Sequence, residues 1–240
     1  MEHSFQNVQQ RKQLCELFLE ELHCPAIRFA SSGPLALYAT GRTTGMVIDC
    51  GDGVSQATPI YDGYVIDQGN MRTDLAGRDV TKQLRMQLRK RGYMFHSSAD
   101  QDIVREIKEG ICVVSTDPHE DESAVAMDEY PTKMYTLPDG QLIELSAETF
   151  RAPEILFKPT LAGSEEPALQ TMIHDAISAA NVDLRRELYR NIVLCGGSSF
   201  FEGTSGAAFY QNSDFMILCE FSRVWKPFIE RGKDIGTERH

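Results

Sequence analysis

Residues 45–54 read GMVIDCGDGV: an apolar, β-branched run enters a turn holding two aspartates and two glycines and leaves on another β-branched residue. Two readings of Asp49-Cys50-Gly51-Asp52-Gly53 are open. Asp-Gly is the commonest two-residue hairpin signal, so the segment predicts a tight hairpin between strands at 46–48 and 54–59. Gly51 and Gly53 would also let backbone amides converge on a phosphate, while Asp49 and Asp52 could hold water on a Mg²⁺. The turn by itself does not decide between them.

Upstream, Leu14, Leu17, Phe18 and Leu22 recur at helical spacing, predicting a helix over 11–22 that stops before Pro25. Leu35 to Tyr38 is short and apolar. Downstream, a second turn at Tyr61-Asp62-Gly63-Tyr64 leads into Val65-Ile66. The pattern then changes to a helix with Asp79 as N-cap, Val80, Leu84 and Leu88 on one face, and Lys90, Arg91 and Gly92 closing it. A second helix is predicted over about 100–113, burying Ile103, Val104, Ile107 and Ile111. Residues 117–130 (DPHEDESAVAMDEY) read as an acidic, exposed loop. Leu137-Pro138-Asp139-Gly140-Gln141-Leu142-Ile143 reads as a hairpin. After Pro159 the sequence predicts a long helix capped by Ser164, with Leu169, Met172, Ile173, Ala176 and Ile177 inward. A short helix at 183–190 leads to a buried strand at 192–195, which ends in Gly196-Gly197-Ser198-Ser199. Strands alternating with helices imply an α/β fold, with ligands beyond the carboxyl ends of the strands.

The whole sequence sets limits. With 240 residues, 42% hydrophobic and 25% charged, the chain can bury a large core. A formal charge of −11 leaves no basic surface for non-specific nucleic-acid binding and disfavours docking on an anionic membrane. No apolar run approaches the ~20 residues of a bilayer span, and Met1-Glu2-His3-Ser4 begins no signal peptide. The six cysteines (Cys15, Cys24, Cys50, Cys112, Cys195, Cys219) form no CxxC pair and read as reduced, buried thiols of a cytosolic chain. Lys108-Glu109 is either a solvated helix face or a ligand wall. Gly196-Gly197 is either a turn or a place where backbone approaches a flat base or ribose. His174 reads as structural. No Ser/His/Asp set, HExxH or GxxxxGK[ST] is present.

Taken in order, six segments together resemble the actin family: Gly41-Arg42-Thr43-Thr44-Gly45, Asp49-Cys50-Gly51-Asp52-Gly53-Val54, Pro59-Ile60-Tyr61-Asp62-Gly63-Tyr64, Leu75-Ala76-Gly77-Arg78-Asp79, Leu137-Pro138-Asp139-Gly140 and Val193-Leu194-Cys195-Gly196-Gly197. The resemblance covers roughly residues 12 to 203 without net insertion. Arg89-Lys90-Arg91-Gly92-Tyr93 through Ser98, Arg151-Ala152-Pro153-Glu154, and Val182-Asp183-Leu184-Arg185-Arg186 through Leu194 are more similar to the centractin-like branch.

That resemblance implies an actin-like α/β clamp of the ribonuclease H-like, sugar kinase and Hsp70 type, closing on ATP or ADP with Mg²⁺. It implies a division into 1–38 as a remnant of subdomain 1, 39–75 with 165–203 as a subdomain 3-like core, 76–164 as subdomain 4-like, and 204–240 as a divergent tail. The nucleotide-binding residues it implies are Asp49, Gly51, Asp52, Gly53, Val54, Gly77, Arg105, Lys108, Glu109, Gly197, Phe200 and Phe201, with Asp49 and Asp52 holding the metal through water. The family's other phosphate loop and outer subdomain have no counterpart in this sequence. Its water-orienting glutamine falls at Ser32 and a nearby histidine at Gln56. Its apolar filament plug falls at Thr160-Leu161-Ala162-Gly163-Ser164-Glu165-Glu166, which carries two carboxylates. The resemblance therefore implies a cytoskeletal, cytoplasmic actin-related protein with a partial ATP site, no catalytic residues of its own, and actin-family subunits or dynactin components as partners. The alternatives are a working ATPase filament subunit and a partial gene copy without independent function.

Overall fold

A computed structural model describes residues 8–95 and 97–204. In chain order the elements are α1 (Val8–Glu16), continued by a π-helical turn at Leu17–Glu21, then α2 (Ser32–Ala39), β1 (Gly45–Cys50), β2 (Ser55–Tyr61), β3 (Tyr64–Val65) and β4 (Met71–Thr73). Next come α3 (Gly77–Lys90), α4 (Ser98–Ile111), α5 (Pro118–Ala126), β5 (Lys133–Thr136), β6 (Leu142–Leu145) and α6 (Glu148–Arg151). The last are α7 (Leu169–Ser178), α8 (Val182–Arg190) and β7 (Ile192–Cys195). No helix among the described residues is long and apolar enough to cross a membrane.

β1 and β2 are antiparallel with Cys50 opposite Ser55, so the predicted hairpin forms, and the Gly51 N–H donates to the Val54 carbonyl at 3.0 Å to close its turn. Val54 therefore belongs to the turn rather than to the strand. β7 lies parallel to β1 on its other side, giving the order β3-β2-β1-β7, with β4 also paired to β2. Alternate side chains leave opposite faces of a strand. Met46, Ile48, Cys50, Ile192 and Leu194 enter the main core, where α3, α4 and α7 supply Leu84, Ile107 and Met172. Val47, Val193 and Cys195 face the other way, onto Ala36 and Leu37 of α2. A sheet covered on both faces explains why β1 reads as a continuous apolar run.

Several local expectations are corrected. The N-cap of α3 is Ala76, and Asp79 sits one turn in, its carboxylate accepting from the Ala76 N–H at 3.3 Å. The acidic stretch at 117–130 is not simply a loop: Asp117 accepts from the N–H groups of His119 (3.0 Å) and Glu120 (3.2 Å), Pro118 takes the first helical position, and α5 follows. The helix after Pro159 begins at Leu169, not at Ser164. Pro167 disfavours a helical Glu166, so Ser164 caps a local turn and accepts from the Glu166 N–H at 3.2 Å. Its inward residues are those expected, from Leu169 to Ile177. Leu35 to Tyr38 lies within α2, whose Leu37 is fully buried. The first helix forms, yet Leu17, Phe18 and Leu22 remain exposed. Of the cysteines, Cys50, Cys112 and Cys195 are buried free thiols and Cys15 and Cys24 are half-buried; Cys219 lies outside the described residues, as does the expected tail beyond Thr204.

Candidate functional site

Three segments meet beyond the carboxyl ends of β1 and β7. The turn of the first hairpin touches the start of α3: the Gly77 N–H donates to the Gly51 carbonyl at 3.0 Å and the Arg78 N–H to the Asp52 carbonyl at 2.8 Å. From the turn after β7, the Ser198 hydroxyl donates to the same Gly51 carbonyl at 2.9 Å. The junction is tight enough to require glycine. A Cβ on Gly77 would lie 2.5 Å from Ser198 Oγ. At Gly196, with φ of +88°, a Cβ would lie 2.3 Å from the Cys50 carbonyl oxygen and 2.6 Å from Asp49 Oδ1.

Lys108 reaches this junction from α4. It is only 5% exposed, and its ammonium donates to the Gly77 carbonyl at 3.3 Å. Burial pulls the ammonium below its ordinary value of 10.5, while the charges of Glu109 and Asp52 work the other way. The hydrogen bond to Gly77 is long and burial outweighs the two carboxylates, so a phosphate reaching the ammonium would gain a charge-assisted bond. The cleft in front of it has a volume of about 490 Å³. Asp52, Lys108, Glu109, Gly197, Phe200 and Phe201 all line it.

The other sequence-predicted residues lie around rather than in this cleft. Gly51 and Gly77 are joined by hydrogen bonds in the junction, and Gly53 and Val54 complete the turn; a Cβ on Gly53 would meet nothing within 4 Å. Asp49 is half-buried beside Cys195, whose thiol is raised well above its ordinary value, first by burial and then by the Asp49 charge. Arg105 lines a neighbouring groove with Asp52 and Arg78 and pairs with Glu109 at 3.4 Å. Asp52 pairs with Arg78 at 3.1 Å. Sequence reasoning missed Lys133 and Ser198, which also line the cleft. Ser198 could have been found from its place next to the glycine pair; Lys133, whose ammonium donates to the Ile111 carbonyl at 3.2 Å, had no local signal. His174 stands apart on α7, its Nδ1 3.0 Å from the Tyr189 hydroxyl. No group of three or more His, Cys, Asp or Glu among the described residues could hold a metal ion alone. Asp52 therefore fits a Mg²⁺ only through water and phosphate, the usual habit of that ion.

A mixed sheet covered by helices, with a hairpin turn, a helix start and a glycine turn converging on one cleft, makes an α/β domain. Residues 1–206 match the family described as "Actin", and the chain belongs to the actin family. It is 45% identical over 196 residues to an "Actin-like protein" of Neurospora crassa, a match covering 80% of this chain and 52% of that protein. The chain thus spans about half the length of that curated relative. The expected actin-like α/β fold and actin-related identity hold, and the family match reaches beyond the 12–203 resemblance at both ends.

Proposed function

We propose that the chain is a cytoskeletal, centractin-like actin-related protein with a partial ATP site, acting through protein contacts rather than hydrolysis. The observation that carries this reading is buried Lys108, lining a 490 Å³ cleft together with Asp52, Phe200 and Phe201. The residues present fit part of a Mg²⁺ nucleotide. Lys108 and Lys133 supply positive charge, Gly197 with the two phenylalanines supplies a flat apolar surface for a base, and Asp52 can order metal-bound water. When bound, the nucleotide would place phosphate beside Lys108, adding to the negative charge of Asp52 and Glu109.

Hydrolysis is not part of this reading, because the position that should orient water is Ser32, at the start of α2. Its side chain is too short to hold an attacking water in line. Gln56, opposite Asp49 across the hairpin, is buried at 3% exposure and cannot replace it at the cleft. The division into a subdomain 3-like core (39–75 with 165–203), a subdomain 4-like part (76–164) and a subdomain 1 remnant (1–38) belongs to the same proposal. Its support is that β1 to β4 and β7 come from the first of these parts and share one sheet. Actin-family subunits or dynactin components are the proposed partners, in the cytoplasmic cytoskeleton.

Titration of the full chain with a fluorescent ATP analogue and Mg²⁺ tests the site. The expected result is binding weaker than micromolar that Lys108→Met reduces at least tenfold. Sub-micromolar binding would overturn the partial-site reading, and Mg²⁺-dependent phosphate release abolished by Asp52→Ala would establish a working ATPase instead. Binding unchanged by Lys108→Met would remove Lys108 from the site.

A further inference from the structure

The outer face of α3 carries a second feature, bordering the cleft at Asp52. Arg78, Lys82, Arg85 and Arg89 follow one another at intervals of four, three and four residues. At 100° per residue, these four side chains fall within about 60° of arc. Val80, Leu84 and Leu88 leave the opposite side of the helix and are fully buried. The basic stripe is thus fixed in direction by the core.

Two depressions run along it and meet at Arg85. One, of about 320 Å³, lies between α3 and α4 and includes Arg78, Lys82, Arg85 and Arg105. The other, of about 400 Å³, is lined by Arg85, Met86, Arg89, Met94 and Phe95. The first pocket's acidic members are Asp52 and Asp102. Arg78 pairs with Asp52 at 3.1 Å, Lys82 with Asp79 at 2.8 Å and Arg105 with Glu109 at 3.4 Å. Arg85 and Arg89 have no carboxylate within 4.0 Å among the described residues, so the unbalanced charge sits where the two depressions join. Met86 on α3 and Met94 in the segment that follows it are 50% and 57% exposed beside them.

We infer that this groove docks an acidic peptide segment of a partner protein, with carboxylates on Arg85 and Arg89 and an apolar side chain on Met86, Met94 and Phe95. The charge of the chain is −11, so a basic groove on it is local and selects a partner of opposite sign. From Arg78 to Arg89 the helix rises about 16 Å, the reach of about five residues of extended peptide. Arginine pairs in bidentate fashion with carboxylates, and methionine adapts to varied apolar anchors. A nucleic-acid strand fits less well, because so short a stripe on so acidic a chain neutralises few phosphates.

Fluorescence anisotropy on the full chain tests this, using a fluorescein-labelled hexapeptide of Glu and Asp with one central Leu. The expected result is saturable binding that Arg85→Glu with Arg89→Glu weakens at least tenfold. Met94→Ser is expected to weaken it about threefold, and replacing the peptide's acids by Gln and Asn to abolish it. Circular dichroism and thermal melting of each variant should match the parent, since Arg89 and Met94 are exposed and Arg85 is only half-buried. No saturable binding at millimolar peptide overturns the inference. So does binding indifferent to Arg85 and Arg89, or equal affinity for a labelled oligothymidylate. Failure of the ATP titration leaves this result untouched, because none of the substituted residues lines the cleft.

Discussion

Replacing Gly77 by alanine presses a methyl group into the meeting point of the hairpin turn, α3 and the glycine turn. The added Cβ would lie 2.5 Å from Ser198 Oγ and 3.2 Å from the Gly51 carbonyl oxygen. The first contact is untenable, so Ser198 must turn away and give up its 2.9 Å hydrogen bond to Gly51. Overpacking of this kind costs about 1–3 kcal/mol. The lost hydrogen bond adds about 0.5–1.5 kcal/mol. Gly77 is the first residue of α3, so alanine's preference for helix interiors returns little here. The net expectation is destabilisation by roughly 1.5–4.5 kcal/mol, which lowers a urea midpoint by about 1–2 M at a slope near 2 kcal/mol/M. Ser198→Ala removes the clashing oxygen, so the double variant Gly77→Ala/Ser198→Ala should be no less stable than Ser198→Ala alone. The cycle then shows a coupling of about 1.5–4.5 kcal/mol, equal to the cost of Gly77→Ala alone, where independent sites add within about 0.5 kcal/mol. Strict additivity, or a Gly77→Ala variant as stable as the parent, would refute the three-way junction.

Two further outcomes are expected. Burial raises the thiols of Cys50 and Cys112 from 9.0 to about 12. Above pH 9 the unfolded chain loses these protons while the folded chain keeps them, so stability falls with rising pH by up to about 1.4 kcal/mol per unit for each thiol. Urea midpoints taken from pH 8.5 to 10.5 should therefore decline, and Cys50→Ala should make the decline shallower by about that amount; an unaltered slope would count against a buried protonated thiol. Asp117→Ala removes the cap of α5 and should cost about 1 kcal/mol locally. Because α5 has no buried residues, amide exchange across residues 118–126 should quicken about fivefold while the global urea midpoint stays put.

Elements that alternate or repeat cleanly were legible in the sequence. The hairpin around Gly51 to Val54 and the helices bearing Leu84 and Ile107 announce themselves by period, because burial on one face is what holds them. α5 was not legible in that way, since it buries nothing and has no apolar stripe; its only announcement is the Asp117-Pro118 start. α2 hides behind Gly33-Pro34, residues that suggest a turn but are tolerated in the first turn of a helix. At the cleft, adjacency in sequence misled. Lys108 is buried while its neighbour Glu109 is exposed, and Arg105, one turn earlier, faces a different groove. Which side chain of a charged helix is dry depends on the loop packed against it, and that loop is remote in sequence.

The parallel pairing of β1 with β7 has a consequence for synthesis. Met46 sits beside Ile192, so the central strand leaves the ribosome long before its partner exists. At roughly 5–20 residues per second, the interval is on the order of 10–30 s. Throughout it, one rim of an apolar strand presents open amide and carbonyl groups to any extended chain nearby. The nascent protein must be shielded along that rim until β7 arrives, or it will be completed by a strand that is not its own.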